Sequence, residues 1–212
     1  MRVLACGDIH TKVWILDSIE KLIADYDKVV FVGDYADDWA ATPQDTIKTW
    51  RFLFDLQVKY KGKVEVVAGN HDYIYVNKTP TISSGYNRIT QLLIDEERNK
   101  DLRSWIKDLP IIETIDSVAY SHAGISQGWH EGYKVENLWD SNSPLWVRPP
   151  YTIYKDTPQV FGHTPVETCL EIQENIWCID THSTKPNGQN IGDNTVLEIT
   201  NGLKFNKIKL EK

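Results

Sequence analysis

The sequence predicts an α/β protein made of two packed, mixed β-sheets with helices outside them. Two observations carry this. Short apolar strands alternate with single amphipathic helices through the first 70 residues, and the C-terminal third is strand after strand with turn residues between.

Taken in order, RVLAC (2–6) reads as a strand and 12–25 as a helix, with Trp14, Leu16, Ile19, Leu22 and Ile23 on one face. KVVFV (28–32) is the second strand, 43–60 a second amphipathic helix, and KVEVVAGN (63–70) the third strand. Parallel strands linked this way collect ligands beyond their carboxyl ends. Residues 85–109 read as helical, with Leu92, Leu93, Leu102, Trp105 and Leu109 buried. PIIETI and SVAYSHAG form a strand pair, and 126–157 is an aromatic, proline-containing excursion without a clear period. QVFGH, ETCLEI, IWCIDT, NTVLEI and LKFNKIKL complete the strands. No repeat or linker divides residues 1–212, so one domain is expected.

Composition excludes several classes. No apolar run approaches the ~18–20 residues of a membrane span, and nothing at the N-terminus resembles a secretory signal, so no membrane partner and a cytoplasmic location are expected. A net charge of −7 argues against a long nucleic-acid partner. Cys6, Cys169 and Cys178 have no metal spacing; the last two could face each other across a hairpin, but reduced strand cysteines are the expectation.

VVFVGDYADDWAAT (29–42) empties a buried strand into Asp34, Asp37 and Asp38. Clustered carboxylates cost free energy unless a cation lies among them. Asp8 and His10 follow the first strand, and in an extended segment both would point to one side. Asn70 and His71 follow the third strand, His122 follows VAYS, and His163 follows QVFG. Such a set of oxygens and imidazoles suits manganese, iron or zinc better than calcium or magnesium.

The ordered series GDIH, GDYADD, GNHD, SHAG and GHTP resembles the calcineurin-like metallophosphoesterases, nearest the branch of phosphoprotein phosphatases and symmetrical dinucleoside tetraphosphatases. The resemblance implies a four-layer α/β/β/α sandwich and two divalent metal ions, manganese foremost, with iron or zinc as alternatives. It implies Asp8, His10 and Asp34 on the first ion, and Asp34, Asn70, His122 and His163 on the second. His71 matches the proton donor, Asp37 the residue that orients it, and Arg148 a clamp on substrate phosphate. The expected partner is a phosphorylated substrate: a phosphoprotein, nucleotide or small phosphate ester.

Two departures stand out. Asp38 replaces the family's arginine, placing a carboxylate where relatives set a cation against phosphate, and IDTH (179–182) replaces IDTG. Hydrolysis of phosphate monoesters by metal-activated hydroxide is the first reading. Hydrolysis of dinucleoside polyphosphates or other diesters is the alternative, and a non-catalytic metal-binding scaffold is a third. His130 and His182 are read mainly as bystanders. Trp39, Trp129, Trp139 and Trp146 are weighed as stacking surfaces or ordinary packing.

Overall fold

The computed structural model describes residues 1–77, 84–129, 138–152, 157–201 and 203–211. Strands β1 (Val3–Cys6), β2 (Lys28–Phe31) and β3 (Val64–Val66) alternate with helices α1 (Val13–Leu22) and α2 (Pro43–Lys59). Three helices follow, α3 (Asn70–Asn77), α4 (Arg88–Asp95) and α5 (Lys100–Asp108). Then come β4 (Ile112–Ile115), β5 (Val118–Ser121), β6 (Gln159–Phe161), β7 (Leu170–Gln173), β8 (Ile176–Cys178), β9 (Thr195–Thr200) and β10 (Lys204–Lys209).

These strands make two mixed sheets of five, ordered β10-β9-β1-β2-β3 and β4-β5-β6-β8-β7. Each has three parallel strands (β1, β2, β3; β5, β6, β8); antiparallel β9 and β10 extend the first on the β1 side, with β3 the other edge, and antiparallel β4 and β7 close both edges of the second. Alternation along each strand decides what lies between the sheets. Val3, Ala5, Val30 and Val32 face inward against Tyr120, Val160, Trp177 and Ile179. Leu4, Cys6, Val29 and Phe31 face outward beneath Ile15, Leu16 and Ile19 of α1 and Trp50, Leu53 and Leu56 of α2. The helix α2 starts where Thr42 and Asp45 form a capping box ahead of Pro43, so its first N–H groups are satisfied locally.

Three local expectations change. Asp8 and His10 do not lie on an extended segment: His10 (φ 44°) and Thr11 (φ 62°) are left-handed, because main-chain N–H groups of Ile9 and His10 both turn onto the Asp34 carbonyl. Leu92 is exposed, and Thr90 and Ile94 fill its expected place in the core. Asn70 begins a helix, α3, rather than ending a strand. Cys169 and Cys178 are free and buried, in separate core clusters on opposite sides of the second sheet.

Candidate active site

Carboxyl ends of all six parallel strands converge on one cleft of about 310 Å3, which is lined by Asp8 after β1, Asp34 after β2, Asn70 after β3, His163 after β6 and Asp180 after β8. His122, after β5, lies fully buried behind it. Close approach of these loops needs glycine at two positions. A Cβ on Gly69 would sit 2.3 Å from Asp34 Oδ1, and one on Gly162 would sit 2.0 Å from Asp8 Oδ1. The glycines of GNH and GH therefore seat the two carboxylates. His10, Asp34, Asp37 and His163 all hold positive φ, so backbone strain gathers at the cleft.

Two ligand-capable groups share Asp34. Asp8, His10 and Asp34 form one, and Asp34, His122 and His163 the other, with donor atoms within 4.8 Å of one another in each. Asp34 Oδ2 lies 3.2 Å from His122 Nε2 and 4.0 Å from His10 Nε2, between the two groups. Asn70 Oδ1 is 2.8 Å from His122 Nε2, which puts it in the second group. Nδ1 of His10 lies 2.6 Å from the Asp37 carbonyl, and Nδ1 of His122 lies 3.0 Å from the Val32 carbonyl. A donated Nδ1–H at each carbonyl fixes the ring and leaves Nε2 as the lone-pair donor, the arrangement metal-bound imidazoles use. Asp8 accepts the His163 N–H on both oxygens, at 3.0 and 3.2 Å.

The electrostatics agree with a cationic occupant. Burial, then Asp180 and Asp34, push the Asp8 carboxyl well above its usual range. Burial pushes His163 well down, helped by His122 and Arg148, and burial lowers His10 too, so both favour the neutral form a ligand needs. Among the described residues the cleft is lined by five aspartates and a single arginine, Arg148. The donor set thus fits divalent ions: oxygens and neutral imidazoles with one carboxylate in common.

Beside this set stands His71, whose Nδ1 is 3.0 Å from Asp37 Oδ2, while its Nε2 turns toward Asp34 Oδ2 at 3.9 Å. Asp37 is held from behind by the Tyr75 hydroxyl, 2.6 Å from Oδ1. Burial alone would push His71 down; Asp34 and Asp37 outweigh it and raise it to about 9. Arg148 is exposed at the rim and donates one Nη1–H to the His163 carbonyl at 2.8 Å.

A family model for calcineurin-like phosphoesterases matches residues 1–205. The chain belongs to this family. It is 25% identical over 167 residues to the symmetrical bis(5'-nucleosyl)-tetraphosphatase of Vibrio cholerae, a match covering 74% of this chain and 59% of that protein. The fold is that of a protein serine/threonine phosphatase from Saccharomyces cerevisiae similar to human phosphatase PP5 (TM-score 0.65, 12% identity, 100% of this chain and 81% of that one). A metallophosphoesterase from Sphaerobacter thermophilus is also alike (TM-score 0.52, 14% identity, 100% and 90% covered). The chain spans less than two thirds of the length of the Vibrio cholerae relative it matches.

Several residues lie otherwise than the motifs suggest. Asp38 does line the cleft, but it is not bare: it accepts from Lys12 Nζ at 2.9 Å, Thr184 Oγ1 at 2.6 Å and the Trp39 N–H at 2.7 Å. Burial would raise its pKa, and Lys12 and Thr184 outweigh that and lower it. His182 is buried outside the cleft lining, edge-on to Trp14, and burial with Lys12 nearby pushes it down to about 3. Trp129, Trp139 and Trp146 pack with Tyr73, Leu138 and Leu145, and Trp146 also lines the cleft, as Trp39 does. His130 lies outside the described residues.

Asp72 and Asp180 escape the motif reading. Asp72 is a buried hub that accepts from the Tyr35, Ala36 and Gly69 main chains and from Trp50 Nε1 at 2.7 Å, tying the Asp34 loop to α3. Asp180 is a buried strand-end carboxylate like Asp8 and Asp34, and the same strand rule would have found it.

Proposed function

We propose that the protein is a dinuclear phosphomonoesterase of the cytoplasm, with Asp8, His10 and Asp34 holding one divalent ion and Asp34, Asn70, His122 and His163 the other. The observation that carries this is the Asp34 carboxylate standing between two ligand groups, with the His71–Asp37 pair alongside. Manganese is the first candidate, since imidazole and carboxylate donors are mixed. Three buried free cysteines accord with a reducing compartment.

Ions bound there would lower the pKa of water and neutralise phosphate oxygens. The chain supplies the rest. Asp34 and Asp8 fix the geometry, and Arg148 reaches a phosphate oxygen from the rim. Water gives one proton to solvent as its oxygen joins phosphorus, the ester P–O bond breaks, and the departing alkoxide takes a proton from His71 Nε2, which solvent restores. Asp37 keeps that ring charged and aimed.

A panel of aryl and alkyl monoesters, diesters, phosphopeptides and dinucleoside polyphosphates, run with added manganese, tests the assignment: monoesters should lead. Diester hydrolysis is the second reading, because position 38 supplies no free cation. Removing that carboxylate in Asp38→Asn releases Lys12 from its partner. The expected result is a several-fold rise in the ratio of monoester to diester kcat/KM at fixed ionic strength, as a dianion gains more from a freed ammonium than a monoanion does. An unchanged ratio would place Lys12 out of reach of the phosphate.

Metal should also stabilise the fold. Asp8 and Asp180 have raised pKa values when no cation is present, so their burial favours folding in acid and works against it as pH rises through those values. Manganese should therefore raise Tm more at pH 7.5 than at pH 5, as read by thermal scans with and without chelator. An equal rise at both would contradict it.

A further inference from the structure

A second cavity of about 170 Å3 adjoins the cleft and shares Asp37, Asp38, Trp39 and Gly85 with it. We propose that this side pocket is the leaving-group subsite, and that it takes an uncharged alcohol carrying a flat ring rather than a leaving group that is itself a phosphate. The inference rests on the reading of the cleft as a phosphoesterase site with His71 as proton donor.

Position is the first argument. His71 Nε2 would give its proton inside the cleft, and the second cavity opens off that cleft across Asp38, Trp39 and Gly85, so it is an adjoining hollow that a released alcohol can enter.

Charge is the second. The described lining offers neutral polar groups on Thr46, Asn87 and Thr90 and the carboxylates of Asp37 and Asp38, with no lysine or arginine. Both carboxylates already hold a cation, Asp38 with Lys12 and Asp37 with His71, so a departing phosphate would find no uncommitted positive group among the described lining. The N-terminus of α2 borders the pocket, where a helix end would ordinarily welcome an anion. That place is already filled: Asp45 accepts from the Thr42 N–H at 2.9 Å and from Thr42 Oγ1 at 2.6 Å.

Trp39 supplies the ring contact. Its side chain is 52% exposed, yet its Nε1 donates to the Thr184 carbonyl at 3.1 Å and its main-chain N–H donates to Asp38. An exposed indole held from two sides has little freedom left to lose when a flat group stacks on it.

Two measurements on manganese-loaded protein test this. Calorimetric titration with adenosine, which needs no turnover, should detect binding that weakens about tenfold or more in Trp39→Ala, the scale of one ring stacked on one aromatic side chain. In turnover, kcat/KM for AMP, which releases adenosine, should exceed that for loss of the terminal phosphate of ATP, which releases ADP, by at least about tenfold. Asn87→Lys, which adds a cation to the pocket, should narrow that ratio. Adenosine binding that is absent or indifferent to Trp39, or a preference for ATP in the unaltered protein, would overturn the subsite. Adenosine binding lost in Trp39→Ala without turnover of any ester would support the subsite and sink the phosphoesterase reading instead.

Discussion

Replacing Asp34 by asparagine is expected to abolish hydrolysis and to reduce bound metal from about two ions per chain to one or none. Its carboxylate is the one that both ligand-capable groups share, so each group without it keeps only its other donors. The substitution keeps shape and one oxygen, so the His71 N–H that donates to Asp34 Oδ1 at 2.9 Å retains an acceptor and the loop stays folded. Metal content by elemental analysis and kcat on an aryl phosphate check the claim; activity within tenfold of the unaltered protein would refute it.

Replacing His71 by asparagine should act differently. Both ligand groups remain, so metal content holds, but turnover falls by the ~10²–10⁴-fold typical of losing a general acid. The loss should grow as the leaving alcohol becomes less acidic: an alkyl phosphate needs the proton, a nitrophenyl phosphate hardly does. Activity that needs His71 protonated must decline as pH rises through its pKa. Asp37→Asn removes one of the three carboxylates that raise it, Asp34 and Asp72 being the others, so the alkaline limb should move to lower pH. Equal loss for aryl and alkyl substrates, or an alkaline limb unmoved by Asp37→Asn, would assign His71 another role.

Most of the framework was legible because apolar strands announce themselves. All ten strands coincide with segments picked out by β-branched and apolar runs, β7 and β9 each running one residue further, to Gln173 and Thr200. What escaped was structure without a period. The helix α3 buries Asn70, Asp72, Tyr73, Ile74 and Tyr75 in near succession, so it presents no polar face for a 3.6-residue pattern to reveal. Leu92 looked buried by composition, but α4 turns Thr90 and Ile94 inward.

The site was legible at the level of which residues gather, since each follows a strand. Its charge balance was not. The Lys12–Asp38–Thr184 contact joins segments 26 and 146 residues apart, and nothing in the local sequence says that the missing arginine's place is held by a paired carboxylate. The left-handed turn at His10 was hidden for a related reason: the Asp34 carbonyl that compels it arrives from a different loop.

The central claim is that Asp34 joins two metal ions, and anomalous diffraction from crystals of the manganese-loaded protein tests it most directly. The account predicts two manganese peaks ~3.5–4 Å apart with the Asp34 carboxylate between them, one beside Asp8 and His10 and the other beside Asn70, His122 and His163. A single peak, or a pair that does not share Asp34, would contradict it.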